Sequence, residues 1–185
     1  ADTITGGNAD DTITSGAGDD TISSGNDADT IILGLNLTSA DTLDGGAGLD
    51  ELRFTDSGAS TSDLDGVTNV ETVTLGDAAT AVTTVDTLVG NGQTLTVTAA
   101  ALTGTNSLIW NGSAETDGSF NITGSTQADT ITGGDADDTI DGGAGADNIA
   151  SGSGDDTISG GAGADTLRGG AGTDIILAGS DADTI

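Results

Sequence analysis

At both ends of the chain one aliphatic residue returns every ninth position, and glycine or polar residues fill most of the interval. The series runs Ile4, Ile13, Ile22, Ile31, Leu43 and Leu52 in residues 1–53. It resumes as Ile131, Ile140, Ile149, Ile158, Leu167, Ile176 and Ile185 in residues 124–185. Polar residues flank most of these positions, as in 21-TIS and 139-TID. In an extended backbone the central residue points to one face and its two neighbours to the other. Each nonapeptide is therefore expected to hold a minimal strand with one inward aliphatic. Two nonapeptides on opposite sides then complete one coil.

Residues 54–123 lack this period and divide into short β-prone runs: 70-VETVTL, 81-AVTTV, 94-TLTVTA, 107-SLIW and 119-SFNIT. The alternation Leu95-Thr96-Val97-Thr98 has the two-residue period of a half-buried strand. No segment shows convincing helical periodicity, though 78-AATAVTTV and 98-TAAAL have room for a turn or two. The segment reads as a β-rich spacer, either a wider solenoid continuing the stack or a small sandwich. The expected fold class is all-β: a parallel β-roll (β-solenoid) in two blocks, 1–53 and 124–185, separated by the spacer 54–123.

A second column lies two residues ahead of the first. It consists of Asp2, Asp11, Asp20, Asp29, Asp41, Asp50, Asp129, Asp138, Asp147, Asp156, Asp165, Asp174 and Asp183. Numbered within the nonapeptide, aspartate holds position six and the aliphatic position eight. Positions one, two and four are rich in glycine. In the N-terminal block these are Gly6, Gly7, Gly16, Gly18, Gly45, Gly46 and Gly48. In the C-terminal block they are Gly133, Gly134, Gly142, Gly143, Gly145, Gly152, Gly154, Gly160, Gly161, Gly163, Gly169, Gly170 and Gly172. Glycine opens backbone conformations closed to other residues, so positions one to six are expected to form a tight turn with exposed carbonyls.

Two aliphatics per coil leave little apolar area to set against the entropy of ordering the backbone. With one Trp, two Phe and no Tyr among 185 residues, the chain has few large side chains to add. The metal-free roll is expected to be unstable. The formal charge of −29 sharpens this, because a compact state so charged repels itself unless cations bind. With Arg53 and Arg168 as its whole basic complement, the chain is not expected to bind nucleic acid, whose phosphates demand Lys or Arg. An anionic membrane surface would repel it, and no stretch approaches the roughly 20 apolar residues of a spanning helix. A salt-adapted surface would mix Glu with Asp, whereas Asp outnumbers Glu 28 to 3. There is no Cys, hence no disulfide and no zinc thiolate.

Calcium fits the deficit. Stacked parallel strands lie about 4.7–4.9 Å apart, and Ca²⁺ gathers about six to eight oxygens at about 2.3–2.6 Å. An ion between two stacked turns can draw carbonyls from positions one to four and the position-six carboxylate of each. Mg²⁺ suits this less well, since it keeps its waters in a small octahedron. Aspartate, one methylene from the backbone, reaches such an ion; glutamate overshoots. The candidate ligands are every aspartate of the column from Asp11 to Asp183, with the carbonyls of the glycine positions named above.

The runs Gly45–Asp50, Gly142–Asp147, Gly160–Asp165 and Gly169–Asp174 carry the pattern GGxGxD. With the nine-residue spacing, both end blocks resemble the RTX (repeats-in-toxin) family of calcium-binding nonapeptides. That resemblance implies a right-handed parallel β-roll, export by a bacterial type I secretion system, and folding triggered by extracellular calcium. Several turns depart from the pattern: Asp27 replaces a glycine, 124-GSTQ keeps one glycine, residues 33–44 form a twelve-residue repeat, and 178-AGSD is irregular. These turns are expected to cap or deform the roll, leaving several ions, roughly six to nine.

Without His, Cys, Lys or Tyr, the serines and threonines lack the usual base, so no catalytic role is expected. The spacing Glu115-x-Asp117 fits a spacer loop better than a carboxylate pair. The position-five acids Asp10, Asp19, Asp137 and Asp155 are expected to be solvated charges, and the outward threonines ordinary strand residues. Both termini fall within repeats, as expected of a segment of a longer secreted, extracellular protein. The leading expectation is a structural module of a bacterial surface, S-layer, adhesin or filament protein that self-associates with other copies. The alternatives are the C-terminal calcium-binding domain of a type I-secreted hydrolase or toxin, and a lectin-like spacer.

Overall fold

The computed structural model describes residues 1–56, 58 and 61–185. These form eighteen strands and no helix. The N-terminal strands are β1 (Thr3–Asn8), β2 (Thr12–Ile13), β3 (Thr21–Asn26), β4 (Thr30–Gly34), β5 (Thr42–Ala47) and β6 (Glu51–Phe54). The spacer contributes β7 (Val67–Thr68), β8 (Thr72–Leu75), β9 (Thr80–Thr83), β10 (Thr94–Thr98), β11 (Leu108–Asn111) and β12 (Ser119–Thr123). The C-terminal strands are β13 (Thr130–Thr132), β14 (Thr139–Asp141), β15 (Asn148–Ser153), β16 (Thr157–Ala162), β17 (Thr166–Ala171) and β18 (Ile175–Ser180).

Even-numbered strands form one nine-stranded parallel sheet, β2 to β18, that runs through both end blocks and the spacer. Odd-numbered strands form the opposite wall as two parallel sheets, β1-β3-β5-β7 and β9-β11-β13-β15-β17. In the end blocks the register steps by eighteen residues, as in Thr3↔Thr21 and Thr157↔Ile175, or by twenty-one across the twelve-residue repeat, as in Thr21↔Thr42. In the spacer it widens, with Thr72 opposite Thr96 and Thr96 opposite Asn121. The spacer is thus the wider solenoid of the two expected alternatives, and no sandwich forms from the described residues.

One aliphatic column explains the continuity. Ile13, Ile31, Leu52, Val73, Val97, Ile122, Ile140, Ile158 and Ile176 stand in register along the even sheet. Val73, Val97 and Ile122 belong to the spacer yet occupy position eight of their coils. On the other wall Val82, Trp110, Ile131, Ile149 and Leu167 align in the same way. Larger spacer coils hold larger side chains: Trp110 is fully buried and meets the Phe120 ring edge-on at 5.6 Å. The twelve-residue repeat absorbs its extra length by tucking Leu33 and Leu37 into the core.

Two expectations are corrected. Neither candidate helical stretch is helical: Thr80, Val82 and Thr83 belong to β9, paired to β11, and 99–102 is a single turn closed by the Leu102 N–H on the Ala99 carbonyl at 3.0 Å. A paired neighbour strand satisfies these β-branched residues better than an isolated helical turn. The strands also outrun three residues. β1, β3, β5, β15, β16, β17 and β18 continue through positions one and two, glycine throughout except for Ser24, Ser151 and Ala178 at position one, with pairings such as Gly161↔Gly179. A Cβ on Gly161, at φ +100°, would strike the Gly143 carbonyl of the coil beneath, so only glycine lets the pairing persist here.

Candidate calcium sites

The position-six aspartates form hydrogen-bonded ladders. Oδ1 of each accepts the backbone N–H of its counterpart one coil earlier. Asp147 N–H donates to Asp165 at 2.9 Å, Asp138 to Asp156 at 2.8 Å and Asp156 to Asp174 at 3.1 Å. The N-terminal block repeats this from Asp20 to Asp41 and from Asp29 to Asp50, each at 2.8 Å. The bond fixes χ1 and aims the second oxygen into the turn.

What meets that second oxygen divides the turns into two kinds. In Asp20, Asp29, Asp50, Asp147, Asp156 and Asp165, Oδ2 is buried and has no protein donor. A buried carboxylate oxygen without a partner is costly, so these six turns ask for a cation. In Asp41, Asp129 and Asp138 the turn closes on itself instead. Thr38 N–H donates to Asp41 Oδ2 at 2.8 Å, Ser125 N–H to Asp129 Oδ2 at 2.6 Å, and Gly134 N–H to Asp138 Oδ2 at 2.7 Å. The three closed turns are those nearest the spacer on its two sides, except for the open turn of Asp50. Asp11, Asp174 and Asp183 are half-buried.

Backbone conformation follows the same division. In the turn ending at Asp165, Gly161 and Gly163 take φ of +100° and +133°. Positions two and four of the Asp20, Asp29, Asp147 and Asp156 turns repeat this, with Asp27 standing in for glycine at φ +72°, whereas the open Asp50 turn keeps it at Gly46 alone. Gly48, at position four of the Asp50 turn, is not at positive φ, and neither are Gly133 and Gly134 of the closed Asp138 turn.

The position-one glycines mark the space itself. A Cβ on Gly142 would meet both the Asp147 Oδ2 and, at 2.8 Å, the Gly160 carbonyl oxygen of the next coil. A Cβ on Gly160 would stand 2.5 Å from both the Asp165 Oδ2 and the Ala178 carbonyl. On Gly6 it would stand 2.7 Å from the Asp11 Oδ2, and on Gly169 it would collide with the Asp174 carboxylate. Carboxylate and carbonyl oxygens thus converge where a side chain would otherwise sit. Among the described residues no three acidic side chains form a metal cluster by themselves. Carbonyls must supply most of the shell, as hard oxygen donors suited to Ca²⁺. When bound, the ion would supply positive charge and cross-coil bonds that the protein lacks.

Burial raises a carboxylate in each kind of turn. Burial, reinforced by the neighbouring charges of Asp129, Asp165 and Asp141, pushes Asp147 up to about 6. Burial, with Asp156 and Asp137, likewise pushes Asp138 up to about 6. Both carboxylates resist ionising unless positive charge arrives.

The position-five acids lie outside. Asp155 N–H donates to Asp137 Oδ1 and Thr173 N–H to Asp155 Oδ1, both at 2.7 Å, along an exposed row. Glu115 and Asp117 do not face each other as a working pair. Glu115 is buried and accepts the N–H groups of Val89 and Gly118, while Asp117 is exposed and accepts from Asn91.

One participant escaped the sequence reading. Glu71 accepts the Asp50 N–H at 2.8 Å, in the place of the next aspartate of the ladder. The run 71-ETVT, matching DTIT with Glu for Asp and Val for Ile, was the available signal. Beyond it, Leu95 and Phe120 hold position six as buried apolar residues, so the carboxylate ladder stops while the coil continues.

No curated protein and no solved structure matches the chain. Four copies of the RTX calcium-binding nonapeptide repeat match at residues 1–31, 38–53, 121–149 and 150–185. Glycine turns, orphaned aspartate oxygens and a shared parallel register agree with that match, and the chain belongs to the RTX calcium-binding nonapeptide repeat family.

Proposed function

We propose that this chain is a calcium-stiffened rod within a large bacterial surface protein, of S-layer, adhesin or extracellular-filament type, and that it acts without catalysis. RTX repeats are calcium-binding modules of secreted proteins. The observation that carries the finer reading is the nine-stranded sheet that passes without a break from one roll through the spacer into the other. A spacer that merely linked two modules would not need to keep their register; a load-bearing rod would. The open turns on either side of it bind Ca²⁺ outside the cell, where the ion is abundant, after type I export of a loosely folded chain.

Small-angle scattering in calcium tests the rod. Nine stacked strands span about 40 Å, and the loaded chain should scatter as one stiff body. Two bodies moving independently about the spacer would rule it out. Sedimentation at millimolar calcium should show association between copies; a monomer at every concentration would remove the array.

A further inference from the structure

The geometry of the open turns does not end inside the N-terminal block. Asp50 is 1% exposed, its Oδ1 accepts the Asp29 N–H, and its Oδ2 has no protein partner. The coil that follows it is not a repeat. Even so, a Cβ on Gly45 would stand 3.0 Å from the Asp50 Oδ2 and would touch the Asn69 carbonyl. This is the arrangement of Gly142 with Asp147 and the Gly160 carbonyl in the C-terminal roll. Glu71 Oε2 takes the Asp50 N–H at 2.8 Å, as Asp165 takes that of Asp147.

The glutamate has a geometric reason. Asp44 pairs with Thr68 and Glu51 with Thr72. Residues 45–50 of the repeat are therefore matched by residues 69–71 alone. Across so short a turn an aspartate would fall back, and the additional methylene of glutamate restores the reach. Asn69 turns the corner at φ +52° and is anchored by its Nδ2 on Asp44 Oδ1 at 2.7 Å.

We propose that a divalent cation of calcium's class binds at this junction, taking the Asp50 Oδ2 from the repeat and the Asn69 carbonyl and Glu71 carboxylate from the spacer. The inference rests on the calcium reading of the rolls. The site fastens the N-terminal roll to the spacer with ligands drawn from both.

The test is Glu71→Gln in the full chain, titrated with Ca²⁺ alone. Gln keeps an oxygen acceptor for the Asp50 N–H and removes the charge. Native mass spectrometry at saturating calcium should show one ion fewer than wild type. Hydrogen exchange should show the calcium midpoint of residues 21–53 raised by about tenfold, with that of residues 142–177 unmoved. An unchanged ion count and midpoint would overturn the proposal. So would an equal shift in both rolls, or a loss of the N-terminal roll that no added calcium repairs, since each indicates a structural role for Glu71. If wild type binds no calcium in residues 142–177, the calcium reading itself fails, which is a separate result.

Discussion

Asp165 reaches back one coil to Asp147, accepting its N–H on Oδ1 at 2.9 Å while its own Oδ2 stays buried without a protein donor. Its own N–H donates in turn to Asp183 at 3.0 Å. Each carboxylate thus clips two coils together with one oxygen and presents the other to the gap between turns. The clip is present in every turn of the ladder; the orphaned oxygen is confined to the open ones.

That difference separates two classes of aspartate by mutation. Asp147→Asn or Asp165→Asn keeps an Oδ1 acceptor but places an amide where the ion needs an oxygen. Calcium affinity should fall by about tenfold or more, with the folded roll recovered at high calcium. Asp41→Asn faces the Thr38 N–H and hydroxyl instead. It should cost about 1–3 kcal/mol at any calcium level. Calcium titrations followed by circular dichroism distinguish the two.

Glycine substitutions should divide according to what lies under the turn. Gly163 has φ +133°, and a Cβ there would run into the Gly145 carbonyl. Gly163→Ala should cost about 3 kcal/mol or more, combining backbone strain with overpacking. Gly16 has φ +89° but open space around it, so Gly16→Ala should cost about 1–2 kcal/mol. Thermal melts in saturating calcium check the order.

Protons should partly replace calcium. Asp138 and Asp147 sit near 6 in the folded chain against 3.8 when unfolded, raised first by burial. Between these values the folded state holds more protons than the unfolded one, so metal-free stability falls as pH rises through this window. In chelator, β-signal should therefore be greater at pH 4.5 than at pH 7.5. Calcium affinity should run the other way, weakening on acidification. A chelated chain that gains structure as pH rises would contradict both signs.

The spacer should outlast the rolls when calcium is removed. Its carboxylates are met by protein donors: Asp77 by Thr103 and Asn106, Asp86 by Thr116, Asp56 by Gly58 and Ala81. Beyond Glu71 its position-six sites include Leu95, Leu108 and Phe120, all buried. Trp110, the sole tryptophan, reports on it directly. Its emission should stay that of a buried indole in chelator while the far-ultraviolet signal of the rolls declines. A simultaneous shift to solvent-exposed emission would show that the spacer depends on calcium too.

The rolls were legible in the sequence because one aliphatic and one aspartate per nonapeptide leave no other register. The spacer was half legible. Alternation at 94–98 and 119–123 gave the strands, but Val73, Val97 and Ile122 keep the Ile column at spacings of 24 and 25 residues, which a search for nines passes over. Trp110 in line with Ile131 had no signal at all, since nothing in its neighbours resembles a repeat. The sequence does mark most of the division between open and closed turns: position four is Gly or Asp27 in the six open ones, and Gln127 or Ala136 in the closed turns of Asp129 and Asp138. What it does not show is that the position-two N–H faces its own aspartate at Ser125 and Gly134, since Gly133–Gly134 is the same glycine pair as Gly160–Gly161.

Hydrogen exchange over residues 142–177, with and without calcium, goes to the heart of the matter. With millimolar Ca²⁺ the amides of β15 to β18 should be protected; in chelator at neutral pH they should exchange as in an unfolded chain. Full protection in chelator would mean that the aliphatic column holds the coils unaided, and that the orphaned oxygens of Asp147, Asp156 and Asp165 need no ion.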